Sequence, residues 1–303
     1  MIEISGLTKR YGDKVAVDDL SFTVRPGQVT GFLGPNGAGK STTMRLIVGL
    51  DRPTAGSAHV DGVRYDEHPA PLCAVGALLE AGSVHNGRSA YHHVLALAQT
   101  HGIPAARVDD VLAMVGLDSA ARRRAGGFSL GMGQRLGIAA ALVADPAVVI
   151  LDEPVNGLDP DGVLWMRTLL KQLAAQGRTV LVSSHLMSEM AVTAEHLVII
   201  GRGRLIADTT VEELISEAGV GDVIVRSPDA TDLHDHLVRV GAAVTSEHPG
   251  LLRVSGFSAD QIGDLACRQG LAVHELTPQR ATLEQAYMEL TQESVEFQNA
   301  SAA

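Results

Sequence analysis

The sequence predicts an α/β protein: a mostly parallel sheet covered by helices, followed by a smaller α+β domain. Three observations carry this. Short apolar runs of buried-strand length alternate with helical stretches through the first part of the chain, the pattern of a helix-covered parallel sheet. A glycine-rich segment joins the first of those runs to a helix. Beyond Gly219 the pattern restarts in the order β-α-β-β-α-β, which is that of a small ferredoxin-like unit.

Taken in order, alternation over 2–7 and 15–24 predicts two early strands. The second ends at the turn Arg25-Pro26-Gly27. Residues 28–33 form a buried strand, and a helix runs from about 40 to 50. From 82 to 128 there are helical spacings at 89–101 and 105–115 but no strand runs, so this segment reads as an inserted helical subdomain extending toward 145. Further buried strands follow at 147–151, 178–183 and 196–200, with helices between them. Thr210 and Glu213 have capping-box spacing, which starts the last helix of a first domain spanning 1–219. The second domain, 220–292, takes strands at 222–227, 242–246, 251–255 and 271–275. Its helices are 232–240, 259–269 and 283–290, and 293–303 is expected to be a flexible tail.

A length of 303 residues suits two domains, at roughly 150 residues each. Apolar content is 46% but aromatics are 3%, so Ala, Val, Leu and Ile must fill the core. With 24 basic against 35 acidic residues the formal charge is −11, which argues against nucleic acid as a partner. Cys73 and Cys267 stand far apart and suit neither a disulfide framework nor a zinc site. The N-terminus has no apolar leader run. The longest apolar stretch, 136–151, is interrupted by Asp145 and Pro146. Nothing approaches the ~20 apolar residues needed to span a bilayer, so any membrane part belongs to another chain.

Gly34-Pro35-Asn36-Gly37-Ala38-Gly39-Lys40-Ser41 fits the phosphate-loop pattern G-x-x-x-x-G-K-[ST] at every fixed position. Its glycines let backbone N–H groups turn inward, and the helix starting at Lys40 aims its positive end at a phosphate. Lys40 would reach the β- and γ-phosphates and the Ser41 hydroxyl would ligate Mg²⁺. A plain glycine-rich turn is the alternative, and the position between a buried strand and a helix favours the phosphate loop. The strand 147–151 ends in Asp152-Glu153, at the edge of the sheet where open α/β folds bind ligands. Alone, an acidic pair there reads as a helix N-terminus. Beside a phosphate loop, Asp152 suits Mg²⁺ and Glu153 suits orienting and deprotonating an attacking water.

Before that strand stands Phe128-Ser129-Leu130-Gly131-Met132-Gly133-Gln134-Arg135; after it come Asn156-Gly157-Leu158-Asp159-Pro160 and Ser183-Ser184-His185. In this order the elements resemble the nucleotide-binding subunits of ATP-binding cassette (ABC) transporters over about residues 1–215. Within that family the chain is most similar to bacterial drug-export ATPases of the bacitracin and daunorubicin type. The resemblance implies a P-loop NTPase, RecA-like core carrying an antiparallel β subdomain and the helical insertion. It implies ATP and Mg²⁺ as ligands, bound by Gly34, Asn36, Gly37, Ala38, Gly39, Lys40, Ser41 and Thr42, with Tyr11 stacking on adenine. It implies catalysis by Glu153, His185 and Lys40, with Asp152 on the metal. Ser129 and Gly131 would cap the γ-phosphate of a second copy, with Asp159 beside it. Two copies would therefore meet face to face as an isologous dimer, at the cytoplasmic face of the membrane against a separate permease.

Two departures stand out. The family's Leu-Ser-Gly-Gly becomes Phe128-Ser129-Leu130-Gly131, followed by Met132. Where a glutamine commonly touches Mg²⁺ and water, this chain has Glu80, which can ligate a metal but, ionised, donates no hydrogen bond. His92-His93 and the pair His234 and His236 lack a third ligand and read as surface histidines. Arg122-Arg123-Arg124 suits either a membrane partner or a solvated run. The competing functional readings are an ABC ATPase acting without a permease, and a kinase or GTPase. The last has no use for the serine-led segment and lacks a guanine-reading Asn-Lys-x-Asp.

Overall fold

A computed structural model describes residues 1–80, 84–217, 222–279 and 282–300. The expected boundary at 219, the start of the helical insertion at 82 and the last three residues lie outside the described residues. The chain divides into two compact units, 1–210 and 211–303.

In the first unit, β1 (Ile2–Tyr11) and β2 (Lys14–Val24) form an antiparallel hairpin. Their alternation buries Ile2, Ile4 and Leu7 from one strand and Leu20, Phe22 and Val24 from the other. β3 (Val29–Leu33) is buried along its whole length, as a central parallel strand must be. It is followed by α1 (Lys40–Ile47), which buries Thr43, Met44 and Ile47 at helical spacing. β4 (Ala55–Val60) returns antiparallel to β1. Then come α2 (Pro71–Ala74), β5 (Val75–Leu78) and three helices, α3 (Ala90–Thr100), α4 (Ala105–Met114) and α5 (Leu130–Leu142). These three pack on one another around Val94, Ala98, Val108, Leu112 and Leu136, giving the helical insertion its own small core. The chain re-enters the sheet through β6 (Val148–Leu151), α6 (Pro160–Ala175), β7 (Thr179–Ser183), α7 (Met187–Thr193) and β8 (His196–Gly201). β9 (Arg204–Thr210) folds back antiparallel to β8.

The main sheet runs β5-β6-β7-β3-β8-β9 and the smaller one β2-β1-β4. All neighbours in the main sheet up to β8 are parallel. Because β6, β7 and β3 are adjacent, the residues that follow each of them emerge at one edge. A single core cluster, including Phe22, Phe32, Met44, Ile150, Leu181 and Val198, joins the two sheets and α1.

The second unit begins with α8 (Val211–Glu217), β10 (Val223–Arg226) and α9 (Ala230–Arg239). It continues through β11 (Ala243–His248), β12 (Leu251–Ser255), α10 (Ala259–Gln269), β13 (Glu275–Pro278) and α11 (Leu283–Ala300). The antiparallel order β11-β12-β10-β13 is that of a ferredoxin-like sheet. α9 and α10 cover one face around Leu233, Leu237, Val254 and Ile262. α10 opens with a capping box between Ser258 and Gln261.

Four differences from the sequence reading have physical causes. β4 and β9 carry few buried side chains and so lack apolar alternation, and β5 is only four residues long. The last strand starts at Glu275, not 271. Gly270 adopts a left-handed conformation, and Leu271 N–H donates to the Ala266 carbonyl, so this stretch closes α10 before pairing begins. The helix that starts after Thr210 belongs to the second unit, where α8 packs on α11. α11 itself continues to Ala300, through most of the expected tail. Among the described residues no helix is long and apolar enough to cross a membrane.

Ile262 is fully buried in the core of the second unit. Ile262→Ala is therefore expected to cost about 2–5 kcal/mol there, read as a lower urea midpoint.

Candidate active site

β3 delivers the chain into the loop 34–39. Gly39, at φ 107°, turns it into α1 without a side-chain cap. A Cβ at Gly39 would stand 2.5 Å from the Ala16 carbonyl oxygen, so only glycine allows β2 this close. The loop is also tied from the other side. Gly203 N–H donates to the Ala38 carbonyl at 2.8 Å, and Asp18 N–H to the Gly203 carbonyl at 2.9 Å. Lys40 is 8% exposed, and its Nζ donates to the Gly34 carbonyl at 2.5 Å and the Pro35 carbonyl at 3.3 Å. Burial holds its pKa below the usual lysine value, against the opposing charges of Glu153 and Asp152. A desolvated cation beside a helix N-terminus and turned-in backbone amides suits a polyphosphate.

The loop forms one wall of a cleft of about 510 Å³. Of the residues expected here, Tyr11, Asn36, Gly37, Ala38, Gly39, Lys40, Ser41, Thr42, Asp152 and Glu153 all line it. Gly34 sits behind them as an acceptor for Lys40. Ser41 Oγ donates to Asp152 Oδ2 at 2.6 Å. These are two hard oxygen ligands on adjacent elements, a set that fits Mg²⁺, whose remaining positions phosphate and water oxygens usually fill. Among the described residues no cluster of three His, Cys, Asp or Glu side chains offers a closed metal site.

Glu153 adopts φ 50°, a left-handed conformation that costs a non-glycine residue about 1–3 kcal/mol. Its N–H donates to Ser183 Oγ at 2.9 Å, while the Ser183 hydroxyl donates to Asp152 Oδ1. Its carbonyl accepts from Asn156 N–H at 3.2 Å and from Gln134 Nε2 at 3.3 Å. His185 Nδ1 lies 2.7 Å from Glu153 Oε2. An ionised carboxylate only accepts, so Nδ1 holds the proton and Nε2 is left to face another partner.

Ser129, Gly131 and Asp159 do not line this cleft. Ser129 caps α5, its Oγ accepting from Met132 N–H at 3.2 Å. That bond uses the oxygen as acceptor and leaves the hydroxyl proton free to donate elsewhere. Asp159 caps α6 in the same way, accepting from Gly162 N–H at 3.0 Å. Leu130, 64% exposed, packs its side chain onto Gly157, where φ is 77° and any Cβ would collide with it. The departure from a glycine at 130 is thus matched by a glycine in the facing loop.

Glu80 is not at the cleft. It lines a separate groove of about 450 Å³ with Arg45, Tyr65, His93 and Leu97. Tyr11 is anchored rather than free: its hydroxyl donates to Asp51 at 2.9 Å, and Asp51 also accepts from Arg45 Nε at 2.7 Å. Arg122 and Arg123 lie over the rings of Tyr91 and Phe128. The sequence reading missed Lys14, Gln134 and Asn156 in the cleft wall, and Ser183 behind it. Gln134, Asn156 and Ser183 lie within the segments 128–135, 156–160 and 183–185, but nothing in their type alone marks them.

Residues 17–156 match the family model described as ABC transporter, and 221–284 match a domain of unknown function, DUF8746. The uncharacterised ABC transporter ATP-binding protein YhcH of Bacillus subtilis (strain 168) is 35% identical over 303 residues, covering 98% of this chain and 97% of its own length. The bacitracin transport ATP-binding protein BcrA of Bacillus licheniformis is 34% identical over 304 residues, covering 96% and 97%. A solved ATP-binding subunit of an ABC transporter superposes with a TM-score of 0.66 at 26% identity, over 72% of this chain and 92% of that one. The chain therefore belongs to the ATP-binding subunits of ABC transporters, and it is an ATPase.

Proposed function

We propose that two copies of this chain close on ATP at their shared interface, hydrolyse it, and so drive export of a drug-like or hydrophobic substrate through a separate membrane permease. The observation that carries this reading is the polar set around Lys40: Ser41 on Asp152, and Glu153 on His185, at the mouth of the phosphate loop. Phosphoryl transfer of this kind is mostly positioning and charge stabilisation. Lys40 and the loop amides hold the β- and γ-phosphates. Ser41 and Asp152 would hold Mg²⁺, which would supply charge neutralisation across the phosphate oxygens. Glu153 takes a proton from the attacking water, and His185, donating from Nδ1 to Glu153, holds that carboxylate beside the γ-phosphate.

Dimerisation follows from what the cleft lacks. Capping α5 leaves the Ser129 hydroxyl proton unused, and a second copy's γ-phosphate is an acceptor of the right charge. Exposed Leu130 stands beside it in the same segment. The groove beside Glu80, between the main sheet and the helical insertion, supports docking of a permease segment, which would hold the subunit at the cytoplasmic membrane face. Similarity to a bacitracin transport protein over nearly the whole chain supports a drug-like export substrate.

Co-purification of a multi-helix membrane protein with the tagged chain tests the partner; recovery of the chain alone from membranes and cytosol would favour a soluble ATPase. Glu153→Gln is expected to keep ATP affinity, accumulate a nucleotide-trapped dimer, and lose about 10²–10⁴ in turnover. Wild-type turnover would remove Glu153 from its role. Lys40→Ala should lose ATP binding by equilibrium titration, and unchanged affinity would count against the cleft as the nucleotide site.

A further inference from the structure

Glu153 is held in an unfavourable backbone conformation by side chains from two other elements. Resting on the reading of Glu153 as the base, we propose that Gln134 and Ser183 are positioning residues that clamp its backbone and so aim its carboxylate. The grip has three points. From β7, Ser183 accepts the Glu153 N–H at 2.9 Å. The same hydroxyl donates its proton to Asp152 Oδ1, so one buried side chain ties the Asp152 carboxylate to the Glu153 backbone. From α5, the Gln134 amide donates to the Glu153 carbonyl at 3.3 Å, beside the donation from Asn156 N–H.

Both clamping residues are sequestered: Ser183 is fully buried and Gln134 is 2% exposed. A buried amide or hydroxyl normally serves a bond it cannot make with water. Both of these serve the peptide units that flank the Glu153 Cα. Rotation at that Cα swings the carboxylate, so holding the N–H and the C=O together fixes its direction. The helix that carries Gln134 is the one whose first turn is capped by Ser129. Position relative to the reacting water matters steeply, since a misplacement of about 1 Å can cost on the order of 10²-fold in rate.

The test uses the full chain and three variants side by side: Gln134→Met, Ser183→Ala and Glu153→Gln. Met keeps the length of glutamine without its donor, and Ala removes the hydroxyl with little change in volume. For both positioning variants the expected result is a fall in kcat of about 10-fold or more, with the Kd for ATP within twofold of wild type. The double variant Gln134→Met with Glu153→Gln should hydrolyse ATP no more slowly than Glu153→Gln alone in single-turnover assays, because both act through one carboxylate. A wild-type kcat in Gln134→Met and Ser183→Ala, with Glu153→Gln inactive, overturns the clamp alone. Additive losses in the double variant, or ATP affinity falling in step with kcat, also overturn it, since a general structural defect would do this. Wild-type turnover in Glu153→Gln overturns the reading of the base on which the clamp depends.

Discussion

The arrangement of the first unit depends on how closely β2 approaches the phosphate loop. With no side chain at Gly39, the Ala16 carbonyl rests against the start of α1, and the β8–β9 hairpin tip closes the other side through Gly203. The loop is thereby fixed between two sheets, not suspended from one strand. Its lysine can then be buried, because its ammonium group finds loop carbonyls at hand. A desolvated, hydrogen-bonded lysine is a stronger electrostatic partner than one in water.

The cleft also has a charge order. Strand adjacency in the main sheet brings the ends of β3, β6 and β7 together. The end of β6 supplies two carboxylates and the end of β7 supplies a serine and a histidine, each hydrogen-bonded to one of them. Asp152 is engaged on both oxygens, by Ser41 and by Ser183, and is thus held in place for a cation. Glu153 is engaged on its backbone and by His185, leaving part of its carboxylate open to the cleft.

Much of this was legible in the sequence because it rests on local rules. Buried strands announced themselves as apolar runs, and the phosphate loop by its glycines and Lys40. Strands β4, β5 and β9 stayed hidden, since edge positions and short lengths remove the periodic signal. The last strand was misplaced because Leu271 and Val273 are apolar for a different reason: they pack on the second unit's core while the chain leaves α10. In the site, the residues assigned to phosphate binding under the proposed function carry recognisable spacing. Those that hold a backbone in place, Gln134 and Ser183, have no signature of their own, because any donor or acceptor of the right reach would serve. Glu80 shows the reverse case: a position readable from the family pattern whose side chain in this fold turns to another groove.

The contact between Leu130 and Gly157 has a bearing on how such a chain can change over generations. A side chain at 157 is incompatible with the leucine, and the left-handed turn there would strain it in any case. A glycine at 130 would lift the collision and leave only the strain. The two positions, one opening α5 and the other in the loop before α6, are therefore coupled in space. A substitution at 157 is accommodated only if the leucine side chain moves aside, and most easily once 130 is small.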